Sequence, residues 1–344
     1  MSNETKRQRK PRPEWIDIVK KYQQPSPGRS TWQVVNSAIP FFSLWVLAYL
    51  SLEVSYLLTS VFCILAAGMV MRLFIIQHDC GHGSFTNSQK YNDVLGSILG
   101  VITLTPYFHW RRHHAVHHAT SGDLDFRGIG DVKTRTVAEY DAMSKSKRLM
   151  YRIYRHPLVM FGLSPVFLFV VFHRLPLNLS KGDNRERASV WWTNAAVVGV
   201  VLLVSWLIGF KAFVLVQLPI TGFVAVVGVY LFYVQHQYED TYWRIHPEWD
   251  YFDAAMKGSS YFELPKILQW FSGNIGFHHI HHLSPLIPNY LLEQAHRENV
   301  LFQQVHKLTI KSSFRSAVTD LWDEKRKKLI SFREYRRYYV LEAA

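Results

Sequence analysis

The chain has 344 residues, is 49% hydrophobic and 15% aromatic, and carries 39 Lys plus Arg against 26 Asp plus Glu. Its apolar residues are gathered into long runs, which excludes an ordinary water-soluble domain. With two cysteines, Cys63 and Cys80, a disulfide framework is excluded as well.

Residues 1–33 form a basic, proline-bearing tail (KRQRKPRPEW, then PSPGRS) with no short apolar core ahead of a small-residue cleavage site, so no signal peptide is expected. Four apolar runs follow at about 37–52, 56–76, 190–208 and 212–234. A helix needs roughly 20 apolar residues to cross a hydrocarbon core of about 30 Å, and these runs reach or approach that length. Two further runs, 94–108 and 158–172, are shorter, and the second is broken by Gly162 and Pro165. If either crossed, the histidines near 109–118 and those near 278 would lie on opposite faces of the membrane, so both runs are read as re-entrant or interfacial. The expected fold is therefore all-α and integral to the membrane. It has four transmembrane helices, six being the alternative, with interfacial helices and a cytoplasmic histidine-rich cap for two metals.

Positive charge is uneven along the chain. Lys6, Arg7, Arg9, Arg12, Lys20, Lys21 and Arg29 precede the first run, LWDEKRKKLISFREYRRYY closes the chain, and the turns SLEV and GFKA hold a single Lys. The positive-inside rule then places both termini and the long loops in the cytoplasm. Three units are expected: the tail 1–33, a membrane domain 34–295 and a basic cytoplasmic extension 296–344. Lipid headgroups or an acidic protein suit this charge better than nucleic acid. Oligomeric state is not legible.

The histidines carry the chemistry. HDCGH sets His78 and His82 four residues apart on one helical face at the end of the second run. Residues 109–118 hold five histidines, among which HAVHH places His114, His117 and His118 at i, i+3 and i+4; HHIHH repeats that spacing with His278, His281 and His282. His236 ends the last run in YVQHQYED. Three imidazoles so spaced converge within the roughly 2 Å reach of a metal bond. Two such triplets exceed the needs of one ion, and no packing requirement asks for the spacing twice. Neutral imidazoles suit Fe, Zn or Cu rather than Mg or Ca, and the two Glu-x-x-His motifs of carboxylate di-iron bundles are not both present. The isolated His156, His173, His246, His296 and His306 read as surface or capping residues. His109, His113 and His279, beside the triplets, read as spectators or hydrogen-bond partners. Cys80 points away from the 78/82 face and reads as packing.

At these residues the chain resembles the membrane fatty-acid desaturase family, whose three histidine boxes match HDCGH, HAVHH and HHIHH, over about residues 35–295. The stretches FIIQHDCGHGSF, HHATSGDLDFRGIGD, FYVQHQYED, LPKILQWFSGNIGFHHIHHLSPLIPNY and the late LWDE are similar to bacterial acyl-lipid desaturases, especially the Δ5 type. The resemblance implies nine metal ligands: His78, His82, His114, His117, His118, His236, His278, His281 and His282. It implies two Fe ions and O2 as co-substrate, and a cis double bond placed in an acyl chain of a membrane lipid. It also implies a bacterial inner membrane with the site facing the cytoplasm. Acyl-CoA desaturases of the wider family use an Asn four residues before the His236 position; Phe232 stands there, leaving Asn274 or water as substitutes. Asp79, Asp123, Asp125, Glu239 and Asp240 are candidates to accept the second N–H of ligating imidazoles, with a helix cap as the other reading of Asp123 and Asp125. No dinucleotide fingerprint or four-Cys cluster pattern is present, so electrons are expected from ferredoxin, flavodoxin or cytochrome b5, steered by the basic surface. A lipid hydroxylase or carotenoid ketolase is the alternative on the same scaffold. A metal transporter is the alternative from another class, disfavoured because the histidines sit at run ends rather than mid-membrane.

Overall fold

The computed structural model describes residues 13–341. Lys6, Arg7, Arg9 and Arg12 of the basic tail and the last three residues of the C-terminal extension lie outside them.

A short helix α1 (Glu14–Lys20) leads into α2 (Pro27–Leu50). Pro27 opens α2 at its first turn, where a missing N–H costs nothing. The helix therefore starts ten residues before the apolar run, which marks only its lipid-facing part. α3 (Tyr56–His82) returns antiparallel and ends where Gly83 takes the left-handed conformation. α4 (Gln89–Ile102) turns back at Leu104 and is followed by α5 (Tyr107–Thr120), so the 94–108 run bends into the histidine helix instead of crossing. Gly96 permits that bend, because a Cβ there would stand 2.2 Å from the Tyr107 ring.

After α6 (Val137–Asp141) and α7 (Lys145–Arg155), the 158–172 run is fragmented. A π-helical stretch Leu158–Leu163 passes into α8 (Ser164–Val170) and a 3-10 turn, and the whole is bent by 58° from α7. α9 (Asn184–Ile208) and α10 (Phe210–His236) form the second long hairpin. Among the described residues, the stretch Pro27–Glu53 containing α2, together with α3, α9 and α10, is long and apolar enough to cross a membrane. That makes four spans, or five if the bent pair counts as one, and not the alternative of six. α9 exposes Trp191, Trp192 and Trp206, as expected of a helix facing lipid with aromatic residues toward its ends. Pro219 inside α10 frees the Leu215 carbonyl, which accepts from Tyr56 Oη at 3.3 Å.

One ionisable residue, Arg72, lies buried in α3 among its apolar residues. Its Nε donates to Ser37 Oγ at 3.1 Å, its other nitrogens reach Asn36 and the Trp270 carbonyl, and its guanidinium stacks 3.7 Å from the Trp270 ring. A cation at that depth is tolerated because every branch is paired. It ties α2 and α3 to the segment that precedes the last histidine triplet.

The cap contains α11 (Tyr251–Gly258), α12 (Lys266–Phe271), α13 (His278–Leu283) and α14 (Asn289–Glu298). Small sheets fasten the C-terminal extension to it: Arg135–Thr136, Leu321–Asp323 and Lys328–Ile330 pair in that order, and Tyr261–Glu263 pairs in parallel with Lys307–Thr309. The buried Arg155 adds a cross-tie, donating to the Thr319 carbonyl at 2.5 Å and to Tyr233 Oη at 2.8 Å.

Candidate metal centre and the cavity beside it

Four elements deliver the nine histidines to one place. The last turn of α3 carries His78 and His82, α5 carries His114, His117 and His118, α10 ends on His236, and α13 carries His278, His281 and His282. Their ring nitrogens form two groups: His78, His82, His114, His118 and His281 in one, and His117, His236, His278 and His282 in the other. Within each group one nitrogen per ring lies within 4.8 Å of all the others. The groups adjoin, with the His118 and His282 rings stacked 4.1 Å apart.

The chemistry of these contacts tests whether a metal fits. His117 Nε2 lies 3.2 Å from His236 Nε2 and 3.3 Å from His282 Nε2, and His278 Nε2 lies 2.9 Å from His236 Nε2. In the first group His118 Nε2 is 3.1 Å from His114 Nε2 and 3.0 Å from His281 Nε2. A neutral imidazole has a single N–H. His117 Nδ1 faces the Asp131 carboxylate and His236 Nδ1 the Gly258 carbonyl at 3.1 Å, so the Nε2 atoms turned toward each other present lone pairs. Lone pairs roughly 3 Å apart repel unless a cation sits between them, and ligands about 2 Å from a common ion stand at about that spacing. His82 Nε2 is buried with no hydrogen-bond partner at all, which the same ion would satisfy. Two metal ions fit these residues.

Burial, reinforced by neighbouring imidazoles, pushes the pKa of His114, His118, His278, His281 and His282 well below the usual histidine value. These rings are neutral at pH 7, as metal ligation requires.

The groups that orient the rings differ from those sequence reasoning chose, apart from Asp79. Asp79 Oδ1 lies 3.1 Å from His78 Nδ1, while its Oδ2 accepts from the Asn289 backbone N–H at 2.7 Å and from Asn289 Nδ2 at 2.8 Å. Asp123 and Asp125 converge on His246, the first accepting from its Nδ1 at 2.7 Å and the second from its backbone N–H at 2.9 Å. Glu239 pairs with Lys328 at 2.6 Å, and Asp240 is exposed. Asn274 has φ +60°, and its Nδ2 donates to the Asn289 carbonyl at 3.2 Å. Phe232 packs its ring 5.0 Å from that of His117. Asp131 was missed. Its signal was its place in HHATSGDLDFRGIGD, where Gly130 (φ +74°) brings the loop so close that a Cβ there would stand 3.0 Å from His117 Cβ.

Of the remaining histidines, His279 is buried with Nε2 2.9 Å from the Phe302 carbonyl, outside both groups. His173 does not follow its surface reading, for its Nδ1 is buried. Cys80 packs in the apolar cluster with Leu99 and Tyr107.

A cavity of about 810 Å³ opens beside the two groups and reaches His78, His114 and His278. Val70, Phe74, Trp110, Phe167, Val224 and Leu231 line its mainly apolar wall, so α3, α8 and α10 form a slot running from the histidines into the membrane-spanning region.

The family profile described as Fatty acid desaturase matches residues 55–313. The chain belongs to the fatty acid desaturase family. With that family come oxidoreductases acting on acyl chains. The desaturase is 47% identical over 315 residues to a fatty acid desaturase of Bacillus subtilis (strain 168), covering 92% of this chain and 89% of the relative. It is 28% identical over 280 residues to a chloroplastic omega-3 fatty acid desaturase of Sesamum indicum, covering 78% and 60% respectively. It is also 28% identical over 286 residues to a chloroplastic temperature-sensitive sn-2 acyl-lipid omega-3 desaturase (ferredoxin) of Arabidopsis thaliana, covering 78% and 62%. The chain thus spans somewhat less than two thirds of these two plant relatives.

Proposed function

We propose that this desaturase places a double bond in an acyl chain of a membrane lipid, with the chain in the 810 Å³ cavity and two iron ions held by the nine histidines. The observation that carries this reading is the opening of both imidazole groups onto one apolar slot in a chain of the desaturase family. Iron, when bound, supplies the activation of O2 that removing hydrogen from an unactivated methylene demands and that no side chain provides.

The protein's own residues do the rest. His78, His82, His114, His118 and His281 hold one ion, and His117, His236, His278 and His282 the other. Asp79, Asp131 and the Gly258 carbonyl fix ring orientation. Phe74, Trp110 and Phe232 wall the slot against water, and the slot lays one carbon pair against the centre. Two hydrogens leave the acyl chain, two electrons and two protons enter from outside, and O2 leaves as two waters.

The electrons come from an acidic carrier such as ferredoxin, flavodoxin or cytochrome b5. The printed name of the Arabidopsis relative includes ferredoxin, and basic residues near the cap suit an acidic carrier. Lys20 and Lys21 precede the first span, and Arg29 lies in its first turn, at the end of the hairpin where α3 delivers His78 and His82. By the positive-inside rule this favours a centre on the cytoplasmic side of the membrane, which we propose to be a bacterial inner membrane.

Expression in a bacterium without polyunsaturated lipids, followed by mapping of double bonds in total acyl chains, tests the function. A new unsaturation is expected, and its loss in His117→Ala and His281→Ala with the protein still in the membrane. An added oxygen in the product would instead identify a hydroxylase.

A further inference from the structure

The LWDE stretch of the C-terminal extension forms one arm of a β-hairpin. Leu321–Asp323 pairs antiparallel with Lys328–Ile330, and residues 324–327 make the turn between them. Asp323 shapes that turn: its Oδ1 accepts from the backbone N–H groups of Lys325 and Arg326, each at 3.0 Å, and Lys327 takes φ +52°. Glu324, Lys325, Arg326 and Lys327 are all exposed. From 324 to 337 the chain holds seven Lys and Arg against two Glu.

The base of the hairpin is fastened to the loop that follows His236. Leu329 donates its N–H to the Glu239 carbonyl at 2.9 Å, and Lys328 pairs with the Glu239 carboxylate at 2.6 Å. The buried Trp322 ring lies 6.4 Å from that of the buried Trp243, and Trp243 lines one small cavity together with His236. Two indoles therefore join the hairpin to the group of His117, His236, His278 and His282. Lys328 pairs with Glu239 and Arg326 with Asp323, whereas Lys325 and Lys327 have no carboxylate partner among the described residues.

Cations clustered on a tip without partners call for an anionic partner, and burial decides between a membrane and a protein. Leu321, Trp322, Leu329 and Ile330 are buried, so the hairpin has no apolar side chain to insert in a bilayer. α7 is the opposite case: exposed Leu149, Met150 and Ile153 stand with Lys145 and Lys147, the pattern of a helix lying on a membrane surface. Electron-transfer partners meet over small interfaces and are steered by charge, which suits a hairpin tip. We infer that the acidic electron carrier docks on this tip through Lys325 and Lys327 and delivers electrons toward His236 by way of Trp322 and Trp243. The inference rests on the proposal that the donor is an acidic carrier. Each encounter oxidises the carrier by one electron and reduces the centre by one, and two encounters supply the two electrons that each double bond requires from outside.

Flavodoxin binding is measured with the full chain in phosphatidylcholine nanodiscs, iron-free and iron-loaded, alongside the rate at which the loaded enzyme oxidises flavodoxin hydroquinone. Lys325→Glu with Lys327→Glu is expected to raise Kd about tenfold at low salt, the scale of two exposed ion pairs turned to repulsion, with the difference fading at high salt. Glu324→Lys is expected to tighten binding about threefold, a gain that no misfolded hairpin gives. Lys145→Glu with Lys147→Glu on α7 keeps the wild-type Kd, and the oxidation rates follow the same order. Unchanged binding in the hairpin pair, or equal weakening in both pairs, overturns the docking site while leaving the carrier reading intact. Weakening in the α7 pair alone moves the carrier to that helix and overturns the site too. Weaker binding with an unchanged oxidation rate overturns electron delivery from this seat. Flavodoxin and ferredoxin that neither bind nor reduce the wild type overturn the carrier reading as well, and the desaturase reading is judged apart, by double bonds formed with a chemical reductant.

Discussion

Asp131 holds His117 from the side opposite the metal groups: its carboxylate faces Nδ1, and Nε2 is left pointing at His236 and His282. The carboxylate fixes the tautomer and raises the basicity of the ring. Asp131→Asn is therefore expected to weaken iron retention about 10- to 100-fold, the usual effect of losing such a partner. Asp123→Asn, whose carboxylate serves His246, is expected to retain iron as the wild type does. Iron remaining after graded chelator treatment distinguishes them, and equal loss in both variants would contradict the assignment.

Neighbouring histidines of the third triplet should separate in the same way. His278→Ala removes a nitrogen 2.9 Å from His236 Nε2, whereas His279→Ala removes one that faces the Phe302 carbonyl. The expected outcome is loss of iron and activity in the first. In the second, iron is retained with lowered thermal stability, because a buried carbonyl loses its donor, at about 1–3 kcal/mol. Elemental analysis and melting in detergent check both.

These contrasts mark how far the sequence could be read. The i, i+3, i+4 spacing of His114, His117 and His118 needs only one helix, so it was legible, as were the four long spans from their apolar runs. Asp131 was not, because a loop 14 residues downstream closes onto His117 only once Gly130 has turned. His173 looked isolated in the sequence and becomes part of a cavity wall only because α8 is broken and folds its end toward Leu104. Asp123 and Asp125 have the composition of ring-orienting residues, but the turn that closes the Asp123 N–H onto the Thr120 carbonyl, with Gly122 at φ +75°, carries them to His246. Hydropathy averaged over a window concealed Arg72, since one cation among many apolar residues barely lowers the mean.

Arg72→Leu tests the buried tie. The substitution leaves Ser37 Oγ and the Trp270 carbonyl without their donor and removes the stacking on Trp270. A loss of about 1–3 kcal/mol is expected, visible as a lower melting temperature in detergent and earlier proteolysis of the cap. An unchanged melting curve would show that the tie adds no net stability.

Gly228 lies in the cavity wall on α10, and a Cβ placed there would meet Met71 Cε at 3.4 Å. Gly228→Phe is expected to narrow the slot, lowering desaturation at least tenfold for long acyl chains, with iron content unchanged. Gas chromatography of acyl chains, set against iron per protein, provides the measurement. Full activity in this variant would mean that the substrate lies elsewhere.

Asp320 gives a pH dependence. Burial raises its carboxyl to about 6, against the lowering effect of the Phe332 N–H and Arg155. With the folded value above the unfolded one, the folded state holds the extra proton between about pH 4 and 6. Its contribution is full below that window and is lost as pH rises through about 6. Asp320→Asn should therefore flatten the stability profile between pH 4 and 6 relative to wild type, as read by thermal melting at successive pH values. An identical slope in both proteins would refute the burial argument.

Metal content per chain bears most directly on the central claim that nine histidines make two adjoining centres. The purified enzyme is predicted to contain about two iron ions per chain, falling to about one when His236 and His282 are both replaced by Ala. Absence of bound iron from active enzyme, or an iron content untouched by that double substitution, would contradict the account.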